Sequence, residues 1–184
     1  MKILAVSGSL RPGSTVTALM HAALGLLPPG SDTDVYTDLA SLPYFDPGID
    51  PDEAPASVQH LRSRAVAADA VLIASPEYAH GMPGVLKNAL EWLVGSGELS
   101  DKPVAVLTAS PHPTGGDRAG AWLTETLTVM GAVLPAEATL GVGLARTKLN
   151  SDGTLTDAET RAALGGVWAA LAREAAHRAE SAEA

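Results

Sequence analysis

Apolar residues along this chain follow two alternating patterns. Ile3-Leu4-Ala5-Val6, Ala70-Val71-Leu72-Ile73-Ala74 and Val104-Ala105-Val106-Leu107-Thr108 are almost unbroken apolar runs. Short runs of this kind predict strands buried on both faces. Residues 2–6, 70–74 and 104–108 are therefore the first, third and fourth strands. Asp34-Val35-Tyr36 predicts a short second strand, and residues 133–140 a final one. Pro135 inside that last run places it at a sheet edge or breaks it, because proline cannot donate to the ladder.

Helical periodicity fills the intervals. Ser14 is a candidate N-cap for a stripe of Val16, Leu19, Met20, Ala23 and Leu27, which Pro28-Pro29-Gly30 stops. Val58, Leu61 and Ala65 share one face of a helix over 56–68. A third helix covers 83–94, with Pro83 in its first turn, where a missing N–H costs nothing. Trp122, Leu123, Leu127 and Met130 mark a fourth. Thr156 and Glu159 read as a capping box opening a fifth, with Leu164, Val167, Trp168 and Leu171 at core spacing. Residues 38–55 are rich in Pro, Asp and Gly and read as a surface loop.

Strands alternating with amphipathic helices predict an α/β fold of three layers. A five-stranded parallel sheet, order 2-1-3-4-5, is covered by helices on both faces. Residues 1–178 form one domain and 179–184 a frayed tail. In such a sheet ligands bind outside the carboxyl ends of the strands, at the switch point between the first and third.

Composition narrows the function. The 184 residues are 46% hydrophobic and 18% charged, with a net charge of −9. That charge would repel nucleic acid. There is no cysteine, which excludes disulfides, thiolate metal sites and cysteine nucleophiles. No apolar stretch approaches the ~18 residues of a membrane span. These features fit a cytoplasmic protein whose partner is a small molecule.

Three loops at the predicted carboxyl rim carry the candidate chemistry. The first, Ser7-Gly8-Ser9-Leu10-Arg11-Pro12-Gly13-Ser14, combines hydroxyls, glycines, a guanidinium and a helix N-terminus. These are the features a phosphate dianion requires, although an ordinary βα turn also uses Gly, Ser and Pro. Gly8 and Gly13 have P-loop spacing, but Ser14 stands where the lysine belongs, and the dinucleotide fingerprint is absent. A monophosphate fits better than either. The second loop, Pro76 to Met82, offers backbone and Tyr78 to a flat heterocycle. Glu77 has no partner carboxylate and reads as a solvated or capping residue. A histidine such as His80 on a surface loop usually has no catalytic role. The third loop, Ser110 to Arg118, holds Gly115-Gly116, whose freedom lets N–H groups face a ligand or merely permits a turn. His80 and His112 lack metal-site spacing.

Taken together, Gly8-Ser9-Leu10-Arg11 with Ser14, Pro76-Glu77-Tyr78 followed by Pro83-Gly84-Val85-Leu86-Lys87-Asn88-Ala89-Leu90-Glu91-Trp92, and Ser110 with Gly115-Gly116 and Arg118 resemble the NADPH-dependent FMN reductase family of flavodoxin-like proteins. The resemblance covers about the first 145 residues. It implies an NAD(P)H oxidoreductase passing electrons through bound FMN to a small acceptor such as a quinone, free flavin, azo compound or metal oxyanion. It implies FMN phosphate contacts from Ser9, Arg11 and Ser14, and ring contacts from Pro76, Glu77, Tyr78, Ala79 and Gly81. Ser110, Gly115 and Gly116 would complete the cofactor site. No side chain need act as nucleophile, because the flavin N5 carries the hydride. The family commonly has Asn then Ser where Ala79 and His80 stand. It usually forms homodimers or homotetramers, and the helix with Leu86, Leu90 and Leu93 is the candidate contact. A flavodoxin-type electron carrier is the alternative. Such carriers have a phosphate loop rich in Thr, Gly and Asn and flank the flavin with aromatics, which make up 4% of this chain.

Overall fold

The computed structural model describes residues 1–183. Its strands are β1 (Lys2–Ser7), β2 (Asp32–Tyr36), β3 (Ala70–Pro76), β4 (Val104–Ala109) and β5 (Thr139–Val142). The helices are α1 (Thr15–Leu24), α2 (Ala56–Ala67), α3 (Gly84–Val94), α4 (Asp117–Val129) and α5 (Ala158–Glu183). All strand pairings are parallel, in the order β2-β1-β3-β4-β5. The fold is therefore the one that the apolar pattern predicts.

Side-chain alternation along the strands divides the core into two layers. Leu4, Val6, Val71, Ile73, Val104 and Val106 pack with Leu61, Leu86, Leu90 and Leu127. Ile3, Ala5, Leu72, Ala74, Ala105 and Leu107 pack with Leu19, Met20, Leu164 and Trp168. The six residues of β4 are all buried, which is why it reads as a continuous apolar run. The outer strands β2 and β5 each contain exposed positions.

Several boundaries shift for local reasons. The α1 helix ends at Leu24, before the proline pair: the Gly25 N–H still bonds the His21 carbonyl, but the Leu26 and Leu27 N–H groups turn to the carbonyls three residues back, of Ala23 and Leu24. Pro83 is the N-cap of α3, not a first-turn residue. The final strand starts at Thr139, not near 133. Val133 makes a single bridge to Pro103, and Pro135 then opens a short 3-10 turn over Ala136–Ala138. The cap of α5 is Asp157 in place of Thr156: its carboxylate accepts the Thr160 N–H at 2.8 Å. Thr156 instead donates its hydroxyl to the Lys148 carbonyl. The last helix continues past Arg178 to Glu183, and the final residue of the expected frayed tail, Ala184, lies outside the described residues.

The leucines of α3 face inward. Leu86, Leu90 and Leu93 are 1%, 3% and 5% exposed. They belong to this chain's own core, so they offer no face to a second subunit.

Polar pins fix the loops around this frame. The Asn88 carbonyl oxygen accepts the Phe45 N–H at 2.8 Å while its amide donates to the Pro43 carbonyl at 2.9 Å. Trp92 Nε1 donates to the same carbonyl at 2.9 Å, and its ring meets Phe45 edge-on at 5.1 Å. The Lys102 ammonium is buried and donates to the Ala65 and Ala68 carbonyls, each at 2.6 Å. It thereby satisfies carbonyls at the carboxyl end of α2, which have no intrahelical partner.

Candidate functional site

Each of the three predicted loops leaves the carboxyl end of a parallel strand, so the sheet delivers them to one rim. The first loop connects β1 to α1. Ser14 is the N-cap of α1 and makes no side-chain cap bond. It is nevertheless only 5% exposed. The first helical bond of α1 joins the Ala18 N–H to the Ser14 carbonyl, so the amides of the first turn have no helical acceptor. Ser7 Oγ and Thr17 Oγ1 share a 2.6 Å hydrogen bond that ties the strand end to α1.

The second loop begins with Pro76 and Glu77. The Glu77 carboxylate accepts the backbone N–H groups of Arg118 and Ala119 at 3.0 and 3.1 Å. It therefore caps α4, the capping role that its isolation in the sequence allows. Tyr78 and Gly81 exchange backbone hydrogen bonds, both of 3.0 Å. Between them Ala79 and His80 have φ of 49° and 62°. Two central residues at positive φ make the tight turn of type I′. Beneath this turn a Cβ on Gly81 would lie 3.0 Å from the Trp122 ring, so glycine lets the turn settle on that indole.

In the third loop Gly115 and Gly116 have φ of 69° and 83°. The Gly115 carbonyl accepts the Thr108 hydroxyl at 2.8 Å. A Cβ on Gly115 would come 2.8 Å from the Gly141 backbone. Both glycines thus let the loop pass close to the ends of β4 and β5.

Two cavities open at this rim. The smaller, about 320 Å³, lies between the three loops; Arg11, Ser14, Pro76, Glu77, Tyr78 and Ser110 are among its lining residues. The larger, about 820 Å³, runs along the first loop and α1 to residues 149–153, and Ser9 lines it with Arg11 and Ser14. Seven of the proposed residues (Ser9, Arg11, Ser14, Pro76, Glu77, Tyr78, Ser110) thus line these spaces. Ala79 sits at the exposed turn tip, Gly81 lies under Trp122, and Gly115 and Gly116 back the third loop.

This donor set fits a mononucleotide. Ser14 presents an unbonded hydroxyl and free helix amides, the Arg11 side chain has no partner among the described residues, and Tyr78 stands half exposed at the mouth. The model for NADPH-dependent FMN reductase matches residues 1–147. The chain belongs to the NADPH-dependent FMN reductase family.

Individual members extend the likeness over most of its length. An NAD(P)H-dependent FMN reductase of Pseudomonas aeruginosa is 35% identical over 163 residues, 88% of each chain. A 2-hydroxy-1,4-benzoquinone reductase of a Burkholderia species is 30% identical over 88% of each chain. Among solved structures, the flavoenzyme NAD(P)H:(acceptor) oxidoreductase FerB of Paracoccus denitrificans superposes with a TM-score of 0.85 at 28% identity, covering 96% of this chain and 97% of that one.

The rim also carries one cavity-lining cation that the three predicted loops do not include. Arg146 lines both cavities from the short turn Ala145–Thr147 that follows β5. Its signal is the pair of glycines, Gly141 and Gly143, after a predicted strand, followed by the polar run Arg146-Thr147-Lys148. Residues 141–147 follow the expected strand end at 140 and so already lie at the carboxyl rim, but they carry none of the motif residues that mark the other three loops.

Among the described residues no helix is long and apolar enough to cross a membrane.

Proposed function

We propose that this member of the family is an FMN-dependent NAD(P)H oxidoreductase that delivers electrons to a small quinone-type acceptor. The observation that carries the reading is the smaller cavity, where Arg11 and Ser14 from the β1 loop meet Pro76, Glu77 and Tyr78 from the β3 loop and Ser110 from the β4 loop. When bound, FMN supplies the hydride acceptance and electron release that no side chain here can perform.

The chain's own residues bind and orient. Arg11, the Ser14 hydroxyl and the first amides of α1 oppose the phosphate charge at a helix N-terminus. The Pro76–Tyr78 segment supplies backbone groups and one aromatic wall for a flat ring. Glu77 holds that segment against α4 through its two amide bonds, which keeps the wall in place. The half-exposed Tyr78 leaves the mouth open to an exchangeable acceptor, as alternating use of one site by reductant and oxidant requires. The reductase names of the relatives favour turnover over the electron-carrier role. A quinone is favoured among acceptors because one of those relatives is named for it.

The test is spectroscopic. Protein reconstituted with FMN should bleach when NADPH is added without oxygen and recover its colour when a benzoquinone follows. A flavin that bleaches but is not reoxidised by the quinone would leave the acceptor assignment without support. Failure to take up FMN would remove the function altogether. Arg11→Ala should weaken FMN binding by about 1.5–3 kcal/mol, the range for a hydrogen bond to a charged group.

A further inference from the structure

We propose that Arg146 is the second cationic anchor of the phosphate end, and that it makes the site select the phosphorylated flavin over the unphosphorylated one. This rests on the FMN reading above. The two rim cavities have four lining residues in common: Arg11, Ser14, Thr15 and Arg146. Two of these begin α1 and the other two are guanidiniums. The junction of the cavities is thus a helix N-terminus with an arginine from each of two separate segments.

Two further observations point to an anion there, and a third fixes the backbone from which Arg146 projects. First, Ser14 is buried and makes no side-chain cap bond, although its hydroxyl is placed where caps normally bond the first helical turn. Second, neither arginine side chain has an ion-pair or hydrogen-bond partner among the described residues, in a chain of net charge −9. The contrast with Lys148, two positions on, is direct. That ammonium lies 3.3 Å from the Asp157 carboxylate and donates to the Thr160 hydroxyl, so its charge is already answered. Third, the backbone beneath Arg146 is held firmly. The Ala145 N–H donates to the Ser110 carbonyl at 3.1 Å and the Leu144 N–H to the His112 carbonyl at 3.2 Å. Leu144 is kept at φ 52°, a left-handed conformation that a branched residue adopts only when its surroundings impose it.

A phosphate monoester carries between one and a half and two negative charges at neutral pH, because its second pKa is about 6. One guanidinium leaves part of that charge unanswered; two match it. Riboflavin has the same ring and no phosphate, so it separates the charge role of Arg146 from any effect on cavity shape.

The experiment titrates flavin-free protein with FMN and with riboflavin, following quenching of flavin fluorescence, for the parent, Arg146→Ala, Arg146→Lys and Arg11→Ala. Arg146→Ala should bind FMN roughly tenfold more weakly, the low end for a charged hydrogen bond at an exposed site. Its riboflavin affinity and ligand-free melting temperature should match the parent. Arg146→Lys should recover part of the loss, and added salt should shrink it. Unchanged FMN binding in Arg146→Ala, with Arg11→Ala weakened, overturns the role of Arg146 and leaves the FMN reading standing. Equal losses for FMN and riboflavin also overturn it, because shape would then be responsible. A parent protein that takes up neither flavin overturns both.

Discussion

Glu77 accepts the backbone N–H of Ala119 at 3.1 Å across a separation of 42 residues. One carboxylate thereby joins the loop after β3 to the N-terminus of α4, where negative charge is favoured by the helix dipole. Glu77→Ala should lower stability by about 1–2 kcal/mol, the usual loss for a cap. Glu77→Gln, which keeps an acceptor oxygen but not the charge, should lose less. Chemical denaturation of the three proteins checks the order, and equal stabilities would show that the two amides find water just as well.

The Ala79-His80 turn has the backbone of a type I′ turn without the residues that suit it. Both central φ values are positive, a region that costs a residue with a Cβ about 1 kcal/mol or more. His80→Gly and Ala79→Asn should each raise the denaturation midpoint, by about 0.5–1 kcal/mol in stability. A fall in either would mean that these side chains contribute something that outweighs the backbone cost.

Lys102 makes stability depend on pH. Burial first, then the positive charge of Arg178, pulls its pKa from the usual 10.5 to about 8, against the opposing pull of Asp69 and Glu98. Between those two values the unfolded chain holds a proton that the native state has released. Stability therefore rises as pH increases through this window. Between pH 7.5 and 9.5 the gain should be on the order of 1 kcal/mol in the parent and absent in Lys102→Met. Denaturation at several pH values compares the two slopes; because other groups titrate in both proteins alike, parallel curves would acquit the lysine.

Asn88 and Trp92 hold the 43–45 segment to α3 by three hydrogen bonds. Asn88→Leu leaves the Phe45 N–H without its acceptor, and should cost about 1–3 kcal/mol. Limited proteolysis should then cut faster between Pro43 and Glu53. Parental cleavage rates in the variant would show that Trp92 and Phe45 suffice.

The architecture was legible because β3 and β4 are apolar on both faces and the helices between strands are not. The residues Asn88 and Trp92 were legible as part of a family signature, but their job is structural: they face the 43–45 loop and line neither rim cavity. Spacing alone cannot separate a helix face that meets a ligand from one that meets a loop. Leu86, Leu90 and Leu93 are covered by this chain itself, and an apolar stripe looks the same in sequence whether this chain or another covers it. Arg146 lies in the loop after the last strand, where no motif marks it, and that strand itself moved. Val133 and Leu134 look like strand residues, yet Pro135 diverts the chain and the ladder with β4 begins only at Thr139. The cap of α5 moved by one residue because Thr156 and Asp157 are both good caps, and only Asp157 reaches the Thr160 amide.

Consider again how tightly the third loop lies on the segment after β5. Gly115 leaves no room for a Cβ against Gly141, and Gly143 leaves none against Pro113. The Ser110 N–H donates to Val142 and the Ala145 N–H returns to Ser110. These two stretches behave as a single plate, although about thirty residues of helix and turn separate them in sequence. Ser110 and Arg146, which line the smaller cavity from these two stretches, are therefore each held by the other stretch's backbone. A side chain added at Gly115 or Gly143 would therefore push this wall of the cavity apart without replacing any residue that lines it.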